Sequence, residues 1–486
     1  MNSIIRAFKL LLMVFVLISA IGISFRRNRE TVASASMAAS SSTTYLPITL
    51  HGYPRPVTGF GAQVLPNKSN QVMDYMKDAD VYWMRVNAIN WNEIEPIRTD
   101  PPTYHWEMVN ETNLSSASLN GMQIIATIRF APEWAREPQS FECSPILQDK
   151  LDEYTQFLQA LVQRYSYPPY NIKYWELGNE PDIDPSLLTD PGSGFGCWGD
   201  ESDDYYGGGY YAEMLKVAYP AIKAVDPTAQ VLIGGLLLDC DPTNPPPGKA
   251  CKPAKFLEGI LNNGGGPFFD IVSFHGYPTY SSSAPGGELY YDTHFPGWEV
   301  RGGVVLGKVD FLREVLANNG LNKPIMHTEG SLICPEGNGA DCNPPSAAFF
   351  QAQADYVVWL YVRNWVAGLK GTIWYQFNGP GWRNGGLLDE NQDPRPAYYA
   401  LDFLTQELKG ATYVAPIAHP QFPPLVGYEF KTSTKKIWVL WSPDAGTYAI
   451  QLPGGVLHVL DKYGADITPA GSDINVKSPI YVEFAP

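Results

Sequence analysis

Between residues 57 and 408, short apolar runs alternate with longer stretches in which apolar side chains return every three or four positions. The eight runs fall at 57–64, 81–86, 122–130, 172–178, 230–238, 268–274, 324–328 and 371–377. Most are continuously apolar rather than alternating, the pattern of strands buried on both faces of a parallel sheet. Between them, Leu151, Tyr154, Leu158, Leu161 and Tyr165 share one helical face. So do Met214, Ala218 and Ile222, and Val309, Leu312 and Leu316. Eight strand–helix repeats predict an α/β fold, a closed (β/α)8 TIM barrel, with a doubly wound open sheet as the alternative. No glycine-rich phosphate loop follows the first run, which counts against a nucleotide-binding open sheet.

Past about residue 410 the pattern changes. Short strands broken by turn residues are expected at 426–431, 436–441, 446–451, 455–460 and 480–484, with no helical period between them. This predicts a small C-terminal antiparallel β-sandwich, to which 45–50 would add a strand. The expected division is therefore 1–44, a barrel over 45–409 and a sandwich over 410–486. In the first segment, Arg6 and Lys9 precede an apolar run at 10–25, followed by Arg26, Arg27, Arg29 and a Ser/Ala-rich linker. It reads as a signal peptide, with Ala33-Ser34-Ala35 as the cleavage pattern. The three arginines before that site are unfavourable, so a retained membrane anchor is the alternative. Either reading takes the protein out of the cytosol, to a secreted, cell-surface or periplasmic location. Membrane association is expected through this segment alone.

Composition sharpens this picture in three ways. An apolar content of 45% supports a large core. The 13 Trp and 29 Tyr, many beside Gly, Pro or Asn, suit loop platforms for sugar faces as well as core packing. A net charge of −16 with no long basic run in the folded part argues against a nucleic-acid partner. The six cysteines fit an oxidising compartment. Sequence alone leaves their connectivity open; short loops favour Cys240–Cys251 and Cys334–Cys342, with Cys143–Cys197 by elimination. No CxxC or Cys/His cluster supports a metal site.

The fourth run ends in Asn179-Glu180-Pro181, a carboxylate at the mouth of a strand with an amide before it and a proline after it. The seventh ends in the same manner, in His327-Thr328-Glu329. Cleaving a glycosidic bond with retention requires two carboxyls about 5–5.5 Å apart. Inward-facing strand ends across a barrel can hold that separation. Asn179 is placed to donate to the hydroxyl beside the reacting carbon. His275 and Tyr277 end the sixth run, and the Tyr277 hydroxyl would hold Glu329. Arg85 ends the second run, as a cation beside Glu329 or, equally, as a buried ion-pair partner. Trp374 in the eighth run would floor the subsite of the reacting sugar. The bland reading of His275 is a satisfied core histidine. Glu176 shares strand parity with Glu180 and reads as a structural carboxylate deeper in the barrel. Trp91, Trp134, Trp198 and Trp382 are candidate outer platforms, and Asn67, Asn110 and Asn113 head glycosylation patterns that are common by chance.

Taken together, these strand ends resemble the clan A glycoside hydrolases, (β/α)8 retaining enzymes whose fourth strand ends in Asn-Glu. The resemblance implies Glu180 as acid/base and Glu329 as nucleophile. It also matches Arg85, Asn179, His275, Tyr277 and Trp374 to substrate-binding positions. Within the clan, Trp91-Asn92-Glu93-Ile94-Glu95-Pro96 followed by Tyr104-His105-Trp106 resembles family 39 and related cellulase- and xylosidase-like families. So does the C-terminal sandwich. The likeness covers roughly 55–408. One position departs: Gly178 stands where family 39 usually carries an aromatic. What the resemblance implies is a retaining β-glycosidase acting on a carbohydrate, with no cofactor and no metal. A transglycosylase using the same pair and a non-catalytic carbohydrate-binding barrel are the alternatives.

Overall fold

Runs that are apolar on both faces must be covered on both faces, and a ring of strands inside a ring of helices does this. In the computed structural model the first eight strands are β1 (Phe60–Val64), β2 (Trp83–Asn90), β3 (Gln123–Arg129), β4 (Tyr174–Asn179), β5 (Gln230–Gly235), β6 (Val272–His275), β7 (Ile325–Gly330) and β8 (Thr372–Trp374). All pair in parallel, in the order β5-β4-β3-β2-β1-β8-β7-β6. Parallel bridges Leu232↔Ile271 and Leu236↔Phe274 join β5 to β6 and close the barrel. The open-sheet alternative is therefore set aside. Each strand overlaps the apolar run expected for it, with ends shifted by a few residues; β7 runs through Glu329 rather than stopping before it.

The structure describes residues 59–65, 70–138, 140–335, 342–417, 424–444 and 446–486. The N-terminal segment 1–44, the extra strand at 45–50 and the Asn67 pattern lie outside them. The helical faces read from sequence fall on Leu151–Tyr165, Gly208–Val225 and Leu306–Asn318, each burying those residues against the barrel.

Alternate residues of a barrel strand face its interior. At the amino end of the strands, Trp83, Ile125, Leu232, Ile271, Met326 and Ile373 form a separate apolar plug. Two residues further along come Arg85, Thr127, Ser273 and Tyr375, and the filling turns polar. Gln63 pairs in register with Arg85, and Glu176 with Thr127, and all four are fully buried.

The C-terminal part is antiparallel throughout. Its strands are β9 (Thr412–Pro416), β10 (Val426–Lys431), β11 (Lys436–Trp441), β12 (Tyr448–Gln451), β13 (Val456–Asp461), β14 (Asp473–Val476) and β15 (Ile480–Phe484). Five form a sheet in the order β13-β15-β11-β10-β9, and β12 pairs with β14. Ile450 of β12 and Val476 of β14 share an apolar core with Leu440, Val459, Val482 and Phe484, as two sheets of a sandwich do. The strands β9 and β14 are additions to the sequence reading. The first is a largely exposed edge strand ending in Pro416, and the second alternates Asp473 and Asn475 with Ile474 and Val476, so neither presents an apolar run.

The three disulfides pair Cys143 with Cys197, Cys240 with Cys251 and Cys334 with Cys342, as the loop lengths favour. All three lie in loops that follow strand carboxyl ends. The first ties the loop after β3 to the loop after β4.

Candidate active site

At the carboxyl ends of the strands the polar layer opens into a cleft of about 370 Å³. Glu180 and Glu329 both line it, with Asn179, Tyr277, Tyr375, Trp382, Phe195, Arg129 and Asn87.

Two local distortions aim the carboxylates. Gly178 takes φ +96, a left-handed conformation that glycine alone adopts without strain. A Cβ at that position would meet nothing within 4 Å, so the backbone, not the space, requires the glycine. This accounts for the one departure from the family 39 pattern. Glu180 itself sits at φ 53, just past the end of β4. In β7, the pairing shifts between Phe274↔His327 and His275↔Glu329, an extra residue that changes the phase of the strand. Without it, Met326 facing inward would leave Glu329 facing the helices.

Arg85 organises the floor. Its Nε donates to Glu176 at 2.6 Å, its Nη2 to Asn179 Oδ1 at 2.8 Å, and its Nη1 to both Gln63 and Glu329. Burial works against its charge, but Glu176 and Glu329 outweigh that and hold its pKa above the ordinary value. Thr127 donates to Glu176 at 3.0 Å, so Glu176 is held below the cleft rather than in it. The Tyr277 hydroxyl donates to Glu329 Oε2 at 2.6 Å. Burial first, then the neighbouring Glu329, push the phenol well above its usual range, so it remains a donor.

Glu180 lies in different surroundings. Burial pushes its pKa up to about 7, against the opposing pull of Arg85 and Lys308. His275 Nδ1 lies 2.7 Å from its Oε1 and 3.5 Å from Glu329 Oε2. Burial pushes the imidazole down to about 4, so it is neutral over most of the pH range. The ring packs tightly on Gly235, where a Cβ would stand 2.1 Å from Nε2. Beneath, Lys308 donates to the His275 carbonyl at 2.9 Å, and burial draws its pKa down to about 8. Asp182 accepts the backbone N–H groups of Leu237 and Leu238 at 2.9 and 2.8 Å, with burial raising it to about 7. The sequence reading missed Asp182 and Lys308. The first lies two positions past Glu180, but nothing marks a lysine in a helix as facing inward.

One expected site residue is placed elsewhere. Trp374 is fully buried, donates from its indole N–H to Gly385 O at 2.8 Å, and does not line the cleft. Ile373 belongs to the barrel plug, so strand alternation turns Trp374 toward the helices, where Tyr356 packs at 6.1 Å, and turns Tyr375 inward. Of the four candidate platforms, Trp91 and Trp198 are core residues and Trp134 packs on Trp91 at 5.4 Å. Trp382 is the exposed one, at the cleft, edge-on to Tyr277 at 5.4 Å.

Single donor atoms of Glu180, His275 and Glu329 all come within 4.8 Å of one another, close enough for a shared cation. Arg85 already puts a fixed positive charge against Glu329. A second such group, Asp239 with Cys240 and Cys251, has both sulfurs in a disulfide.

No protein-family model and no curated protein sequence matches the chain. Solved structures do. A family 39 glycoside hydrolase from Bacteroides cellulosilyticus WH2 matches 89% of this chain and 81% of its own, with TM-score 0.64 and 20% identity. A GH39 β-xylosidase from Caulobacter crescentus matches 89% of this chain and 97% of its own, with TM-score 0.57 and 15% identity. A glucosidase from Croceicoccus marinus matches 88% and 96%, with TM-score 0.56 and 15% identity. The chain shares their fold.

Proposed function

We propose that this protein is a retaining glycosidase, with Glu180 as acid/base and Glu329 as nucleophile. The observation that carries the proposal is the approach of the two carboxylates, one oxygen of each coming within 4.8 Å of the other group. Retaining enzymes hold this pair about 5–5.5 Å apart, whereas inverting ones leave about 6.5–9.5 Å for a water. The roles follow from the surroundings. A group raised to about 7 by burial is still protonated near neutral pH and can protonate the leaving oxygen. Glu329 accepts from Arg85 and Tyr277, which orient it toward the anomeric carbon. Once the glycosyl–Glu329 ester has formed and the aglycone has left, Glu180 takes a proton from water, which attacks the same carbon and releases Glu329. His275, neutral and hydrogen-bonded to Glu180, holds that carboxyl through both proton transfers.

Asn179 spends one amide N–H on Gly194 O at 3.1 Å and its oxygen on Arg85, leaving one N–H for the sugar hydroxyl beside the reacting carbon. Trp382 and Tyr375 take the platform role that strand parity denies to Trp374. The glycosidases among the fold's solved relatives favour the same reading. Three disulfides suit an exported protein. Among the described residues no helix is long and apolar enough to cross a membrane.

The test follows the first turnover of an active aryl β-glycoside by NMR. The released sugar should retain the β configuration, and a 2-fluoro glycoside should label Glu329. Release of the α anomer, or labelling that persists in Glu329→Gln, overturns the proposal. Parallel assays on defined polysaccharides separate endo from exo action.

A further inference from the structure

Arg129 is the last residue of β3 and lines the same cleft as Glu180 and Glu329. A guanidinium carries five N–H donors in a planar fork. Among the described residues the Arg129 side chain makes one hydrogen bond, a long one of 3.4 Å from Nη2 to Asn90 Oδ1, and its buried Nε has no partner. The Phe130 ring lies under its Cζ at 4.4 Å, covering one face of the fork without using an N–H. Arg85, at the same end of the barrel, instead bonds to Glu176, Glu329, Gln63 and Asn179. Burial and then Arg85 push the Arg129 pKa down to about 10, which leaves it cationic at neutral pH.

Arg129 as a whole is half-buried, but its Nε is buried without a partner, and such a donor is costly unless an acceptor arrives. The neighbouring carboxylates are engaged, Glu329 by Arg85 and Tyr277, and Glu180 by His275. The cleft is open toward the fork. Gly194 lines the cleft beside Arg129, and a Cβ there would stand 3.9 Å from Nη1, so position 194 puts no side chain against the fork.

We propose that Arg129 binds an anionic group on the sugar, so that the cleft takes a glycoside bearing a carboxylate or a sulfate ester; this rests on the glycosidase reading. A planar fork matches two oxygens of such a group through paired N–H···O bonds, which a neutral hydroxymethyl cannot supply.

The test is calorimetric titration of the full chain with glucuronate, galacturonate and glucose 6-sulfate, against glucose and galactose. At least one anionic sugar should bind about 10-fold or more tightly than its neutral counterpart. Arg129→Gln should abolish that preference, and Arg129→Lys, which keeps the charge but not the fork, should retain part of it. A uronate preference assigns the carboxylate; a sulfate preference assigns the ester. Equal binding of neutral and anionic sugars overturns the proposal, as does an anion preference that survives in a folded Arg129→Gln protein. Turnover of neutral aryl β-glycosides alongside either result leaves the glycosidase reading standing. Arg129-dependent anion binding with no turnover and no labelling of Glu329 overturns that reading instead, and keeps the binding site.

Discussion

At the amino end of the barrel, Trp83, Ile125, Leu232, Ile271, Met326 and Ile373 fill the ring with apolar side chains. Two residues further along, Arg85 and Thr127 replace them, with Glu176 of β4 in register with Thr127, and beyond these lie Glu180, His275 and Glu329. Both ends are buried, but they solve burial differently. The first removes apolar surface from water and, beyond the backbone, has only the Trp83 indole N–H as a polar atom to satisfy. The second keeps charged groups out of water, which is tolerable only because Arg85 serves several acceptors at once. It also leaves polar atoms without partners, among them Glu176 Oε1, Gln63 Nε2, His275 Nε2 and Arg129 Nε. Apolar packing is concentrated at one end of the strands, and buried titratable groups with shifted pKa at the other.

Breaking the polar end should show first in rate. Glu329→Gln is expected to lower kcat by about 10⁴-fold or more while leaving the melting temperature near that of the native protein. A large loss of stability with little loss of rate would make Glu329 structural.

Glu180→Gln should lower kcat/KM by about 10²–10⁴-fold on substrates with poor leaving groups and much less on activated aryl glycosides. Equal losses on both would count against the acid role. Because the carboxyl must be protonated to act, native kcat/KM should fall as pH rises through about 7, and the variant should lose that limb. The stability sign is opposite to that of an ion-paired carboxylate. A folded pKa raised from 4.5 to about 7 leaves stability intact below about 4.5 and erodes it as pH rises through 7. Glu180→Gln should therefore melt higher than the native protein at pH 8, and by a smaller margin at pH 4.

The apolar end should respond in the reverse manner. Leu232→Ala is expected to cost about 2–5 kcal/mol in denaturant unfolding, with the pH–rate profile unchanged. A shifted profile would mean that the two ends are not independent.

Gly178→Ala probes the join between them. The new methyl meets open space, so its effect is backbone strain alone, about 1–3 kcal/mol of stability, with a fall in kcat as Glu180 is displaced. An unchanged melting temperature and kcat would show that φ +96 is not needed to aim Glu180.

The strand cores were legible because burial on both faces forces continuous apolar runs, which a single sequence displays directly. Glu180 and Glu329 were legible because a carboxylate closing such a run stands out. Arg129 was not, since an arginine at the end of a strand looks the same whether its fork is filled or empty. Trp374 was misplaced for a related reason: a continuous apolar run carries no inward or outward phase.

The sequence by itself therefore determined which barrel strands form, in what order along the chain, and which carboxylates close two of them. Only the tertiary structure decided phase and proximity. Closure of the ring brings Glu180 and Glu329, remote along the chain, within 4.8 Å. The shifted pairing in β7 turns Glu329 inward, strand alternation exchanges Trp374 for Tyr375, and the packing around β3 leaves Arg129 short of acceptors. The physical reason is that apolar burial is read residue by residue along the chain, whereas the distance, facing and partners of a side chain are properties of neighbours that only the closed barrel supplies.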